Sequence, residues 1–157
     1  MAKGPFMEFL RGYLAQTAAN AYEELQIPTP ASKTENLAML IHSIELQPDR
    51  LLDTVPANSD LVMCHLSRKS DTTVRKLSEP DILASFRAYT SLNAVFNALV
   101  LHGAELTKFD PPLLYPKANL YLGLNTVGFT AVTNMVVRIG YTLEKVSRED
   151  FISALVE

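Results

Sequence analysis

Asn134-Met135-Val136-Val137-Arg138-Ile139-Gly140-Tyr141-Thr142-Leu143-Glu144 is the stretch whose reading decides the fold. Met135, Val137, Ile139, Tyr141 and Leu143 fall on alternate positions with Asn134, Arg138, Thr142 and Glu144 between them, the period of a strand with one face in a core and one towards solvent. At roughly 3.3 Å per residue this run extends on the order of 35 Å, enough to cross a whole sheet. Upstream, Leu120, Leu122 and Leu124 alternate with Asn119, Tyr121, Gly123 and Asn125 in a shorter run. The two are read as the arms of one β-hairpin over residues 116–145. Thr126-Val127-Gly128-Phe129-Thr130 is its loop, and Phe109-Asp110-Pro111-Pro112 leads into it.

Size and charge narrow the class. A chain of 157 residues fits one domain and is long enough to bury about 70% of the surface of its unfolded form. With 14 basic and 17 acidic residues the formal charge is −3, so no general field recruits nucleic acid or an acidic membrane, and partners must be recognised by shape. One cysteine, Cys64, excludes an intrachain disulfide framework. Its setting in Leu61-Val62-Met63-Cys64-His65-Leu66 reads as a small buried hydrophobe rather than a reactive thiol. Glu8, Arg11 and Gln16 interrupt the apolar residues near the start, against a secretory signal, and no apolar run is long enough to span a bilayer. The expectation is a protein made in the cytoplasm and not secreted.

Taken in order, Phe6, Phe9, Leu10, Tyr13 and Leu14 recur at helical spacing and predict an amphipathic N-terminal helix from about Pro5 to Ala18. Such a helix docks on its own domain, on a neighbouring subunit, or on a lipid surface, the last disfavoured by its single arginine. Pro28-Thr29-Pro30 forces extended backbone. Residues 37–46 fit both a helical stripe (Leu37, Leu40, Ile41, Ile44) and a strand face (Leu40, Ile44, Leu46). The flanking prolines favour a strand, with 61–67 as its partner and His42 half-buried in a hydrogen bond. Residues 47–60 read as a loop.

Ser78-Glu79-Pro80-Asp81 carries an N-cap, a first-turn proline and an acid three residues on, and predicts a mid-chain helix to about Tyr89 that buries Ile82, Leu83 and Phe86. The apolar run from Ala94 predicts a strand with a kink or bulge at Gly103. Ser147-Arg148-Glu149-Asp150 caps a final short helix holding Phe151, Ile152, Ala154 and Leu155.

Chemistry-bearing motifs are missing. His42, His65 and His102 show no metal-ligand spacing, and there is no phosphate-binding glycine loop and no nucleophile elbow. No metal, no cofactor and no catalytic residues are expected, and hence no enzyme.

The order of elements, with Phe109-Asp110-Pro111-Pro112-Leu113-Leu114, then Leu120-Tyr121-Leu122-Gly123-Leu124, then the long Val136-to-Thr142 strand, resembles the small single jelly-roll structural proteins of viruses and phages over about the last 60 residues. The resemblance implies an antiparallel β-sandwich that assembles into symmetric rings or shells, a virion protein with a capsid or capsid-associated role. This chain departs from RNA-packaging coats in lacking a basic N-terminal arm, which argues against strong nucleic-acid binding. The predicted architecture is mainly β: a jelly-roll-like sandwich over 19–157, an N-terminal helical arm over 1–18, a mid-chain helix and a C-terminal helix. The predicted partners are further copies of itself and other shell subunits, through Phe6, Phe9, Leu10, Tyr13, Leu14, Val127 and Phe129. Membrane contact is admitted only through the N-terminal helix. The alternative is a binding module for a small ligand or glycan, built on Tyr89, Tyr115, Tyr121 or Tyr141.

Overall fold

The computed structural model describes residues 6–49, 60–93, 98–100, 105–129 and 132–156. Among these residues nine strands form two antiparallel sheets. One has the order β1-β9-β3-β7, from Glu8–Ala15, Asn134–Lys145, Leu37–Asp49 and Glu105–Tyr115. The other has the order β2-β8-β4-β5-β6, from Glu23–Pro28, Asn119–Val127, Asp60–Ser67, Ile82–Asn93 and Ala98–Val100. Apart from β4, β5 and β6, each strand in sequence crosses to the opposite sheet, the wrapping of a jelly roll. A single helix, α1 (Arg148–Leu155), follows among the described residues.

The core lies between the sheets. Met135, Val137, Ile139 and Tyr141 of β9 face Leu120, Leu122 and Leu124 of β8, with Ile44 and Leu46 of β3 and Val62, Cys64 and Leu66 of β4 completing the layer, all buried. The alternation read from β9 is therefore the alternation the sandwich uses. A bulge at His42 reverses the facing of β3, so that Met39 and Ile41 point inward on one side of it and Ile44 and Leu46 on the other. His42 turns to Thr142, Nε2 to Oγ1 2.9 Å.

Several expectations are corrected. The two arms of the expected hairpin lie in different sheets, so the connection from β8 to β9 passes between sheets instead of closing a hairpin. Periodicity identifies a strand and its buried face but carries no information on which strand it pairs with. For the same reason β3 pairs with β7 and β9, and not with the 61–67 segment, whose partners are β5 and β8.

The N-terminal helix is strand β1. It pairs with β9 from Glu8↔Tyr141 to Ala15↔Asn134, because β9 offers a full edge of backbone donors and acceptors. It is thus part of the sandwich and not a separate arm.

The mid-chain helix is strand β5. Ser78 to Asp81 forms tight turns, with Glu79 N donating to Lys76 O and Ile82 N to Glu79 O. After a register shift at Leu83, Ala84 and Phe86 alternate inward against β4, and Leu83 joins them in the core; cross-strand pairing overrides the local capping signal. Asp110, Pro111 and Pro112 lie inside β7, where a run of four residues bulges opposite His42. The expected kink at Gly103 lies outside the described residues. The C-terminal helix forms as expected, with Ser147 Oγ accepting from Asp150 N.

Replacing inward Ile139 by Ala is expected to cost about 2–5 kcal/mol in urea unfolding, while Glu144→Ala on the outward side stays within about 0.5 kcal/mol. Equal effects at the two positions contradict an inward Ile139 and an outward Glu144.

Candidate assembly surface

Strand pairing sorts the expected interface residues onto two faces. On β1, Leu10 and Leu14 turn inward and pack in the core, while Phe9 and Tyr13 stand half-exposed on the outer face and Phe6, just ahead of the strand, is 76% exposed. The sequence joined these five into one helical stripe; a strand divides them because its side-chain period is 2.

Gly140 lies opposite Phe9 in the adjacent strand. A Cβ there would come 2.7 Å from Ser43 Oγ, 3.2 Å from Met7 Sδ and 3.4 Å from Phe9 Cε1. The missing side chain lets Met7 and Phe9 lie flat across β9. The Arg138 guanidinium sits 5.0 Å above the Phe9 ring and is held by Glu45 at 2.9 Å, so the ring is both cation-stacked and exposed. Arg11 stands directly across from Arg138, and the two arginines border a shallow hollow with Glu45, Gln47 and Val136.

The loop after β8 behaves differently from its expectation of two exposed hydrophobics. Val127 is 49% exposed and Phe129 only 4%. Asn20, in a left-handed conformation at φ 60°, donates through Nδ2 to Phe129 O at 2.8 Å and accepts from Phe129 N at 2.8 Å. Gln16 accepts from Thr133 N at 3.1 Å and donates to Thr126 Oγ1 at 3.1 Å. This side-chain clamp from the β1–β2 turn pulls the loop inward and buries the ring.

A second exposed apolar region lies at α1, which packs on β7. Phe151 and Ala154 are buried, while Ile152 and Val156 remain outside. Beside them runs a groove of about 650 Å³ whose rim includes Lys33 and Arg148. The sequence placed the apolar residues of α1 in one group; the signal for this groove was the i, i+4 pair Ile152 and Val156, off the stripe that holds Phe151 and Ala154.

His42 and His65 belong to opposite sheets and do not meet, and His102 lies outside the described residues. His65 instead anchors a polar network on the outer face of the second sheet. Arg75 N donates to His65 Nδ1 at 2.9 Å, Tyr22 Oη lies 3.3 Å from Nε2, and the Tyr22 hydroxyl donates to Glu24 at 2.9 Å. Glu24 also accepts from Ser70 Oγ and Asp71 N, and Asp71 accepts from Arg75 Nε at 2.5 Å. A Cβ on Gly123 would meet both His65 Nε2 and Tyr22 Oη at 2.5 Å, so only glycine admits the pair.

The network ties loop 68–81 onto the sheet. Burial lowers the His65 pKa, against the opposing pull of Asp71 and Glu24, and burial followed by the Glu24 hydrogen bond raises that of Tyr22. Burial also pushes the Cys64 thiol up. Among the described residues no group of three or more His, Cys, Asp or Glu is placed to hold a metal ion. Tyr115 and Tyr141 are buried and donate to Asn119 O and Glu8 Oε2. They form no open stacking platform, and the Tyr89 side chain lies outside the described residues.

Two outcomes test this network. The unfolded chain takes up a proton near the ordinary imidazole pKa of 6.5 while folded His65 resists it; stability contributed by its neutral ring is therefore full above that pH and declines as pH falls below it. The drop in melting temperature from pH 7 to 5.5 is expected to be smaller in His65→Asn, which keeps an acceptor near the Nδ1 position. Gly123→Ala is expected to lose about 1–3 kcal/mol by urea unfolding.

Comparison with known proteins places the fold. No protein-family model matches the chain, and no curated protein matches it in sequence. Among solved structures it is similar to capsid protein VP1 of Trichodysplasia spinulosa-associated polyomavirus, with a TM-score of 0.52 and 10% identity over 93% of this chain and 98% of that one. At that identity the likeness is one of fold: this chain is a jelly-roll β-sandwich of the kind found in a viral capsid protein.

Proposed function

We propose that this chain is a structural virion protein, a capsid or capsid-associated subunit that self-associates into symmetric oligomers and works without catalysis. The observation that carries the reading is fold agreement along nearly the whole of both chains with a capsid protein. A fold hosts many functions, so the surface must supply the rest. Phe6, Met7, Phe9 and Tyr13 leave apolar area uncovered on one edge strand, and Val127 adds to it on the loop beyond β8. Contact with further copies, or with other shell subunits, covers such area and satisfies the free backbone edge of β1.

A net charge of −3 supplies no field for condensing nucleic acid, so shape rather than charge holds the particle together. In this reading the protein resides in the virion and is made in the host cytoplasm.

Light scattering tests the proposal. The unmodified chain is expected well above its monomer mass of 17.4 kDa, with closed rings or particles in electron micrographs. Phe9→Ser with Tyr13→Ser, which changes only outward side chains, is expected to shift the mass towards monomer with the far-ultraviolet circular dichroism unchanged. A monodisperse monomer for the unmodified chain overturns the assignment.

A further inference from the structure

A sheet edge is a row of unpaired backbone donors and acceptors, and folded chains blunt it with prolines, charges or shortness. Among the described residues, three of the four sheet edges carry such a device. β7 holds Pro111 and Pro112 in succession. Adjacent residues turn their N–H groups to opposite edges, so one donor is missing from its outer side. β2 is six residues long, begins with two acids and ends in Pro28, and β6 is three residues long. β1 is different: it runs eight residues, Glu8–Ala15, without a proline. Its acid stands at the first position, and its one other charge, Arg11, faces outward across from Arg138. Among the described residues Arg11 has no ion-pair partner.

We infer that β1 pairs antiparallel with β1 of a second copy of this chain, about a two-fold axis at Gly12. The register follows from facing. Opposed residues of an antiparallel pair share a face, and along β1 Leu10, Gly12 and Leu14 turn inward while Phe9, Arg11 and Tyr13 turn outward. Pairing therefore matches even-numbered residues with even and odd with odd. Two such registers keep nearly the whole strand in the ladder. One sets Arg11 against Arg11 of the other copy, a row of guanidiniums that continues into Arg138 on both sides and that like-charge repulsion opposes. The other sets Leu10 against Leu14, Gly12 against Gly12 and Arg11 against Tyr13.

That second register satisfies both faces of the strand. Leu10, only partly buried in the single chain, meets Leu14 of the other copy and extends the core across the axis. Gly12 brings no side chain to the axis, where a Cβ would come 2.6 Å from Ile27 Cδ1. On the outer face the Arg11 guanidinium reaches the 52% exposed ring of Tyr13, a cation–π contact that the symmetry makes twice. Phe9 falls opposite Ala15, and its ring already lies across β9 under Arg138, away from the new seam. The four-stranded sheets of the two copies become one continuous sheet, and the contact is isologous, closing at two copies.

This inference rests on the self-association reading above and is tested separately from it. Cα atoms directly opposite in an antiparallel pair lie about 4.5–5.5 Å apart, within reach of a disulfide, whereas residues two places out of register lie beyond its limit of roughly 7 Å. Cys64 is the only cysteine and is fully buried, so introduced thiols are the reactive ones. Arg11→Cys and Tyr13→Cys, both outward, are made as separate chains, mixed, reassembled and mildly oxidised. A disulfide-linked dimer in the mixture and in neither variant alone is the expected result. The mixed pair also keeps one native contact between Arg11 and Tyr13.

A disulfide dimer from Arg11→Cys alone, or none in the mixture at concentrations where the unmodified chain is associated, overturns the edge pairing and leaves self-association standing. A chain that is monomeric throughout overturns both. Hydrogen exchange on the unmodified chain is a second arm that needs no substitution. Every second amide between Phe9 and Ala15 points away from β9, and these are expected to exchange about tenfold more slowly in the associated chain than after dilution to monomer. Equal exchange in the two states also overturns the edge pairing.

Discussion

Strand β9 is hydrogen-bonded along both edges, to β1 on one side and β3 on the other, and its inward side chains Met135, Val137, Ile139 and Tyr141 meet the leucines of β8 across the core. A strand so placed has no freedom of register: a slip of one residue would turn four large apolar side chains to solvent and bring Asn134, Arg138 and Glu144 inward. β1 takes its register from β9, and with it the separation of buried Leu10 and Leu14 from outward Phe9 and Tyr13. The candidate contact surface is therefore a consequence of the core and not an addition to it.

Polar side chains do the remaining positioning. Asn20 and Gln16 hold the loop between the two sheets, and their backbone-like hydrogen bonds to Phe129 and Thr133 bring a ring into the core that a free loop would leave outside. On the opposite face His65, Tyr22 and Glu24 fasten the segment joining β4 to β5. Both devices place hydrogen-bonding groups where burial would otherwise leave backbone polar atoms without partners. They also explain how a sandwich with long connections keeps those connections in one place.

Much of this was legible in the residues and some was not, for reasons that differ by element. The strand over 134–145 and its facing followed from strict alternation, and the final helix from Ser147 with the acids after it, since both are local signals. The pairing of strands was not legible, because the partners of β3 and β9 lie up to 133 positions away, as Glu8 and Tyr141 do, and periodicity is silent on distance. The two helices expected near residues 5–18 and 78–89 failed because Phe6-Phe9-Leu10-Tyr13-Leu14 and Ile82-Leu83-Phe86 carry helical spacing, while the strands that form divide the first group between two faces. Only an available sheet edge decides between helix and strand, and that is a tertiary fact. Of the candidate surface, Phe6, Phe9, Tyr13 and Val127 stood out in the residues as apolar side chains to account for. The groove beside α1 did not, since it arises from Lys33 and Thr34 meeting a helix more than a hundred positions later.

The register that joins Glu8–Ala15 to residues 134–141 ties the order of synthesis to the completion of the outward face of β1. A ribosome makes the earlier strand long before the later one, and until the later one emerges the aromatic residues of the first have no sheet to lie on. Pairings this distant close slowly and expose unpaired edges in the interval. The outward face formed by Phe9 and Tyr13 is thus complete only once residues 134–141 have been made and paired.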